Sequence, residues 1–180
     1  AGSTFFSADD GTSGRELWKT EGSSATTARL KDIFPGLGGS EPRELLSFDG
    51  RLFFRACDAT AGCELWTSDG TLGGTQRFKD ILPGTGSGNP QHLVVVGDDL
   101  YFSACDEAAG CELWVSDGTA ARTRRLADIA PGPASSNPEA EVSESQLDPL
   151  VVVGGRVFFS ATDGSGRELW AMPHFLFDDG

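Results

Sequence analysis

The sequence contains few of the residues that usually carry catalysis, and it has no long apolar run. Among 180 residues there are two histidines, one methionine and one tyrosine. His92 and His174 lie in dissimilar contexts, and the chain has no nucleophile-elbow, Walker or metalloprotease motif. The longest apolar run, about 149–153, is far too short to span a bilayer. The sequence therefore argues against an enzyme and predicts no membrane span.

Basic residues are also scarce. There are 14 lysines and arginines against 27 aspartates and glutamates, which gives a net charge of −13. A surface of this charge repels phosphate backbones, which argues against nucleic-acid binding. It suits a basic partner or divalent cations.

What the chain has in abundance is repetition. The pattern Gly-X-Glu-Leu-Trp occurs four times, and its tryptophans are 48, 48 and 56 residues apart. Such a period indicates an array of one supersecondary unit within a single repeat domain, 1–180. The predicted units are approximately 1–42, 43–90, 91–138 and 139–173, and 174–180 is the start of a following segment or a tail. We expect the chain to be part of a longer protein.

Each repeat is predicted to hold four short strands separated by turns. An aromatic strand precedes the Glu-Leu-Trp strand, a polar strand and a Pro-Gly break follow it, and an apolar strand leads to the next repeat. Dipeptides such as Asp49-Gly50 favour tight hairpins because both residues adopt positive φ. No segment has a helical stripe, so no helix is predicted. The pattern predicts an all-β chain of about four four-stranded β-propeller blades of ~48 residues; a β-solenoid is the less favoured alternative.

The last spacing is longer because the segment Glu139–Asp148 carries an acidic insertion, which is expected to be an exposed loop. Four blades can close into a ring by themselves, but many propellers have more. Closure could use strands from both ends of the chain, residues outside it, or self-association with a second copy. An unclosed array would expose an apolar face, which a monomer rarely tolerates.

Two repeats resemble a known bacterial motif. Glu64–Thr71 reads ELWTSDGT and Glu112–Thr119 reads ELWVSDGT. Both are similar to the bacterial ELWxxDGT repeat, and the resemblance covers nearly the whole chain. The first copy departs from it at Glu21-Gly22-Ser23 and the last at Ala171-Met172-Pro173. The resemblance implies a secreted or surface protein of Gram-negative bacteria, built like a propeller and with no established enzymatic activity.

The four cysteines form two pairs of identical spacing, Cys57 with Cys63 and Cys105 with Cys111. The same two places hold Asp9 and Arg15 in the first repeat, which suggests positions that face each other across a hairpin. We therefore predict disulfides Cys57–Cys63 and Cys105–Cys111 and an oxidising compartment. A closed zinc site is not expected from thiols in two separate repeats.

Tryptophans and acids also recur at fixed places. The tryptophans are predicted to be repeat-core residues rather than sugar-stacking platforms. Hard oxygen ligands near glycine-bearing loops suit calcium, but the full calcium-loop pattern is absent, so turn hydrogen bonding is favoured and no metal or cofactor is assigned. The core tryptophans are Trp18, Trp66, Trp114 and Trp170; the calcium candidates are Asp10, Asp58, Asp106 and Asp163, with Glu16, Glu64, Glu112 and Glu168 beside them.

These observations predict a non-enzymatic scaffold for protein interaction or adhesion that is secreted, periplasmic or attached to the cell surface. A multivalent carbohydrate-binding lectin is the alternative. A lectin would keep like groups in every repeat, whereas the loops Gly36–Glu41, Gly84–Asn89 and Gly132–Asp148 differ. An extracytoplasmic glycosidase is less favoured, because it needs a lone acid pair and every repeated acid here has copies elsewhere.

Overall fold

The computed structural model describes residues 2–138 and 150–173. Within these ranges the chain is all-β, with four antiparallel sheets and no α-helix. The chain divides into two compact units, Ala1–Asn89 and Pro90–Gly180. The acidic insertion Glu139–Asp148, His174 and the tail 174–180 lie outside the described residues.

The first unit holds sheet 1 and sheet 2, which come from the first two repeats. Their strand orders are sequential, β1-β2-β3 and β4-β5-β6-β7, as expected for antiparallel hairpins joined by short turns. The strands are β1 Thr4–Asp9, β2 Arg15–Thr20, β3 Ala28–Lys31, β4 Arg43–Phe48, β5 Arg51–Asp58, β6 Gly62–Ser68 and β7 Gln76–Lys79.

The second unit holds sheet 3 and sheet 4, again with neighbouring strands in chain order. Sheet 3 has four strands and sheet 4 has three within the described residues. The strands are β8 Gln91–Val96, β9 Asp99–Asp106, β10 Gly110–Ser116, β11 Arg124–Arg125, β12 Leu150–Val153, β13 Arg156–Asp163 and β14 Gly166–Pro173.

Turn chemistry fixes the hairpins. Asp49 and Gly50 both have positive φ, 47° and 68°, as the tight turn between β4 and β5 requires. One short 3-10 turn, Ser24–Thr26, departs from the expectation of no helix in the described part of the chain. It forms because the Ser23 carbonyl accepts the Thr26 amide at 3.1 Å and the Thr27 hydroxyl at 2.7 Å.

Each unit has an apolar core between its two sheets. In the first unit the core joins Leu17 and Ile33 of the first repeat to Phe54 and Trp66 of the second. In the second unit Leu113 and Ile129 lie in one cluster with Val157 and Phe159. The leucine of the Glu-Leu-Trp strand therefore faces the sheet that follows it in the chain. The tryptophan side of that following sheet covers the leucine.

The all-β prediction is confirmed, and so is the arrangement of each repeat as an antiparallel sheet. In the described ranges no helix is both long enough and apolar enough to cross a membrane.

Candidate functional site

The glutamate of the Glu-Leu-Trp motif is buried in three of the four repeats. Glu16, Glu64 and Glu112 each have no exposed surface. A buried carboxylate is costly unless its oxygens are hydrogen-bonded. In each case the donors come from the segment that follows the polar strand β3, β7 or β11, 17 to 24 residues further along the chain than the glutamate.

The third repeat has the full set of contacts. The Glu112 Oε2 atom accepts the Ile129 amide at 3.2 Å and the Ser136 hydroxyl at 2.5 Å. Its Oε1 atom accepts the Ala130 amide at 3.3 Å and the Ser136 amide at 3.1 Å. Glu16 makes the same four contacts, with Ile33, Phe34 and Ser40. One carboxylate thus fixes both ends of a loop.

The second repeat lacks the hydroxyl donor, because Gly88 replaces the serine. The Glu64 oxygens accept the Ile81 amide at 2.8 Å and the Gly88 amide at 2.7 Å. Burial raises the pKa of Glu64, and the backbone amides of Gly88, Ile81 and Leu82 only partly oppose it. A β-carbon on Gly88 would lie 2.6 Å from Cβ of Ile81, so a serine does not fit here without movement.

We call the segments held in this way the Pro-Gly loops; they are residues 34–40, 82–88 and 130–136. All three have seven residues and hold Pro-Gly at their second and third positions. Their ends are fixed by the glutamate, while the exposed fourth residue differs: Leu37, Thr85 and Pro133. A constant frame therefore presents a different side chain in each repeat.

Each loop also passes directly over the glycine that begins the motif. A β-carbon on Gly110 would lie 2.6 Å from the Ala134 carbonyl oxygen, and Gly14 and Gly62 meet Gly39 and Gly86 still more closely. All three motif glycines have positive φ, between 64° and 66°. The glycine of Gly-X-Glu-Leu-Trp is thus required both by backbone conformation and by the loop above it.

The four calcium candidates lie in hairpin turns and bond backbone amides. Oδ1 of Asp10 accepts the Thr12 and Ser13 amides at 2.8 Å each, and Asp58, Asp106 and Asp163 bond their own turns in the same way. The second oxygen of Asp106 pairs with Arg125 at 2.6 Å. Among residues 2–138 and 150–173, no three His, Cys, Asp or Glu side chains are grouped to hold a metal.

Hydrogen bonds within the turns lower the pKa values of three of these aspartates, Asp10, Asp58 and Asp163. The Thr12 amide is the largest cause that lowers the pKa of Asp10, and the Ser165 hydroxyl does the same for Asp163. Burial raises the pKa of Asp58, but hydrogen bonds from Thr60 and Ala61 outweigh it and the net shift is downward.

The paired cysteines face each other across the β5–β6 and β9–β10 hairpins. Cys57 is bonded to Cys63 and Cys105 to Cys111. In the first repeat Asp9 and Arg15 are directly opposite, as the pairing predicts. The Arg15 side chain is directed elsewhere than its register partner: its guanidinium lies 4.0 Å from the Glu41 carboxylate and donates to the Ser7 carbonyl at 3.2 Å.

The Asp-Gly-Thr part of the motif is a turn network. Asp69 Oδ1 accepts the Thr71 amide at 2.9 Å and hydroxyl at 2.7 Å, and Ser68 bonds Thr75 at 2.7 Å. Asp117, Thr119, Ser116 and Thr123 repeat this network in the third sheet. The motif's polar residues are thus used to shape turns.

The motif tryptophans differ in exposure. Trp66 and Trp114 are buried, and Trp18 and Trp170 are half-buried. Trp114 donates its indole N–H to the Ala104 carbonyl at 3.0 Å, and Trp66 lies in the core of the first unit. The tryptophans therefore do not present equal platforms in the four repeats.

Sequence reasoning missed the role of the motif glutamate, which it grouped with the metal candidates. The available signal was the spacing: an isoleucine follows each of Glu16, Glu64 and Glu112 by 17 residues. The fourth copy, Glu168, is exposed, and so is its neighbour Leu169. The structure thus buries the glutamate and leucine of three copies of the motif and leaves those of the fourth copy exposed.

No family model matches the chain, and no curated protein matches it. Among solved structures it is similar to one from a structural and mechanistic study of two prolyl endopeptidases, with 16% identity and a TM-score of 0.49. The match covers 94% of this chain and 24% of that chain. The chain thus spans about a quarter of that protein's length, and a likeness of this size does not bear on activity.

Proposed function

We propose that this chain is a propeller-type repeat scaffold of the ELWxxDGT kind, which binds protein partners outside the cytoplasm and catalyses no reaction. The observation that carries the proposal is the set of Pro-Gly loops. Their ends are held by identical glutamate contacts, while their exposed tips are Leu37, Thr85 and Pro133. Fixed frames with unlike tips suit a composite protein-binding surface rather than equal sugar sites.

The propeller part of the proposal is supported by the sheets themselves. Successive repeats give successive antiparallel sheets with strands in chain order. Within each unit, the leucine side of one sheet packs on the tryptophan side of the next. Stacking of four-stranded sheets face to face is how blades bury their apolar surfaces.

The placement outside the cytoplasm is supported by chemistry. Disulfides persist in oxidising compartments, and the described cysteines are all bonded. In the second and third repeats the disulfide crosslinks the hairpin whose Gly62 or Gly110 lies beneath a Pro-Gly loop.

The test is site-specific photo-crosslinking. The photoreactive residue benzoyl-phenylalanine replaces Leu37 in the full chain, which is then irradiated with the source cells or their medium. It should form a discrete adduct with one protein, and excess unlabelled chain should compete this adduct away. The matched control carries the same group at Glu21, an exposed turn residue, and should give none. The same group is placed in turn at Thr85 and Pro133. If none of the three positions gives an adduct and the chain binds selectively on a glycan array, the lectin function would replace this proposal.

A further inference from the structure

Two arginines lie directly opposite each other on neighbouring strands of sheet 2, within the first unit. Register places Arg43 of β4 against Arg55 of β5. Like charges in such a cross-strand pair repel each other and destabilise the sheet. At the matching positions of sheet 3, Gln91 faces Ser103, and the strands pair in the same way. Strand pairing therefore does not require the two arginines.

Arg55 is peculiar to the second repeat. It is the residue of the aromatic strand that lies opposite the motif leucine, here Leu65. The other three sheets hold serine at this place, namely Ser7, Ser103 and Ser160. Since serine is compatible with the same strand in every other repeat, the arginine is not needed to build the hairpin.

The Arg55 guanidinium is only partly satisfied. Its Nη2 donates to Oδ1 of Asn89 at 3.0 Å, and its Nε is buried without a hydrogen-bond partner. Among residues 2–138 and 150–173 no carboxylate forms an ion pair with it. Burial lowers the pKa of Arg55 and the charge of Arg43 lowers it further, while Glu44 and Glu41 act in the opposite direction. A half-buried cation in this setting is stabilised by an added anion.

The carboxylate beside Arg43 is distant and shared. Oε2 of Glu41 lies 3.8 Å from Nη2 of Arg43 and 4.0 Å from Nε of Arg15. Both distances exceed the length of a hydrogen bond, about 2.7–3.2 Å. The Arg43 side chain is 68% exposed, so its guanidinium can be reached from solvent. Glu41 itself has a positive φ of 48°, a conformation that costs energy for such a side chain and recurs at ligand sites.

The arginine pair adjoins the ends of two Pro-Gly loops. Ser40, the last residue of the first loop, accepts the Cys57 amide at 2.8 Å, two residues beyond Arg55. Asn89, which bonds Arg55, directly follows the second loop, and its amide donates to the Cys63 carbonyl at 3.0 Å. The two arginines are therefore continuous with the loop frames on which the proposed function depends.

The chemistry selects one carboxylate. Guanidinium groups are planar and match a carboxylate with two parallel hydrogen bonds. A polyanion would be repelled by the net charge of −13, whereas a single acidic side chain on a neutral or basic partner would not. We propose that Arg43 and Arg55 bind the carboxylate of an aspartate or glutamate side chain of the protein partner. This inference rests on the proposed scaffold function for the partner and names the chemistry of one contact.

The test is a titration of the full chain, labelled with nitrogen-15, with N-acetylglutamate N-methylamide. The NMR signals of the arginine Nε–H groups should shift saturably for Arg43 and Arg55. Arg55→Ser and Arg43→Gln introduce the residues that sheet 3 holds, so the fold is kept. In each variant the remaining arginine should report binding that is weaker by about tenfold or more, because a charge-assisted hydrogen bond is worth at least that factor.

The matched control is Arg156→Ser, which removes the same charge from an exposed position in the second unit and should leave binding unchanged. Absence of a saturable shift at both arginines of the native chain would overturn the proposal. Equal weakening by R156S would also overturn it, since binding would then follow net charge alone. Tighter binding of galacturonic acid or of inorganic phosphate than of the glutamate probe would overturn the assignment to an acidic protein side chain. Loop-tip crosslinks that persist when the probe fails would leave the scaffold function standing and remove this site alone.

Discussion

Replacing each motif glutamate by glutamine tests its structural role in four copies of one residue. In Glu112→Gln, the best amide orientation puts NH2 in place of Oε2, because Oε1 accepts two backbone amides. The Ser136 hydroxyl can turn to accept from the new NH2, but the Ile129 amide loses its acceptor. A buried amide without a partner costs about 1–3 kcal/mol, and the remaining bonds lose charge assistance.

We expect E16Q and E112Q to lower the free energy of unfolding by about 2–3 kcal/mol. E64Q should cost less, because burial already disfavours the ionised form of Glu64. E168Q, on the exposed β14 strand, should stay within about 0.5 kcal/mol of the native chain. Urea unfolding followed by tryptophan fluorescence measures all four. Equal losses for E112Q and E168Q, or no loss for E112Q, would refute the reasoning.

Four further predictions concern a disulfide, the turn aspartates, the buried Glu64 and calcium. The double variant C57S/C63S should lose roughly 2–2.5 kcal/mol in urea unfolding, since a short loop is closed; a loss below about 0.5 kcal/mol would mean that the bond does not constrain the unfolded chain. Stability should fall as the pH drops below the ordinary aspartate value of 3.8, because Asp58, Asp69 and Asp117 have lowered pKa values in the folded state and their contribution is lost on protonation. Glu64 should have the opposite effect, because its pKa is raised in the folded chain and folding therefore favours its protonated form. As the pH falls from neutral toward 4.5, the native chain should gain stability from this residue, whereas E64Q should not. Urea unfolding across that pH range measures the difference. The melting temperature should be the same with calcium and with chelator, because Oδ1 of Asp10, Asp58, Asp106 and Asp163 already accepts turn amides; a calcium-dependent rise would return these acids to a metal site.

The order of strands and turns could be predicted from the sequence because it recurs in each repeat. Four aligned copies place the hairpin turns, and facing cysteines follow from the matched spacing of Cys57 and Cys63. Local chemistry, such as Asp49-Gly50, then fixes the tight turns. These features depend on neighbours in the chain, so a single sequence contains them.

The role of Glu112 depends on residues 17 to 24 positions away and on their burial. An acid next to a glycine-bearing loop looks the same whether it faces a cation, solvent or three backbone amides. The sequence also did not distinguish Glu168 from its copies, because the difference lies in what covers the strand rather than in the motif. Likewise, the Arg15 side chain turns toward Glu41, a loop residue that becomes a neighbour only in the fold.

The central claim is that the motif glutamates hold the Pro-Gly loops in place. Amide hydrogen exchange of the native chain tests it most directly, at Ile33, Ser40, Ile129 and Ser136. The account predicts that these loop amides are protected as strongly as amides within β2 and β10, and that E16Q speeds exchange at Ile33 and E112Q at Ile129, each without affecting the other loop. Exchange of these amides at the rate of exposed loops in the native chain would contradict it.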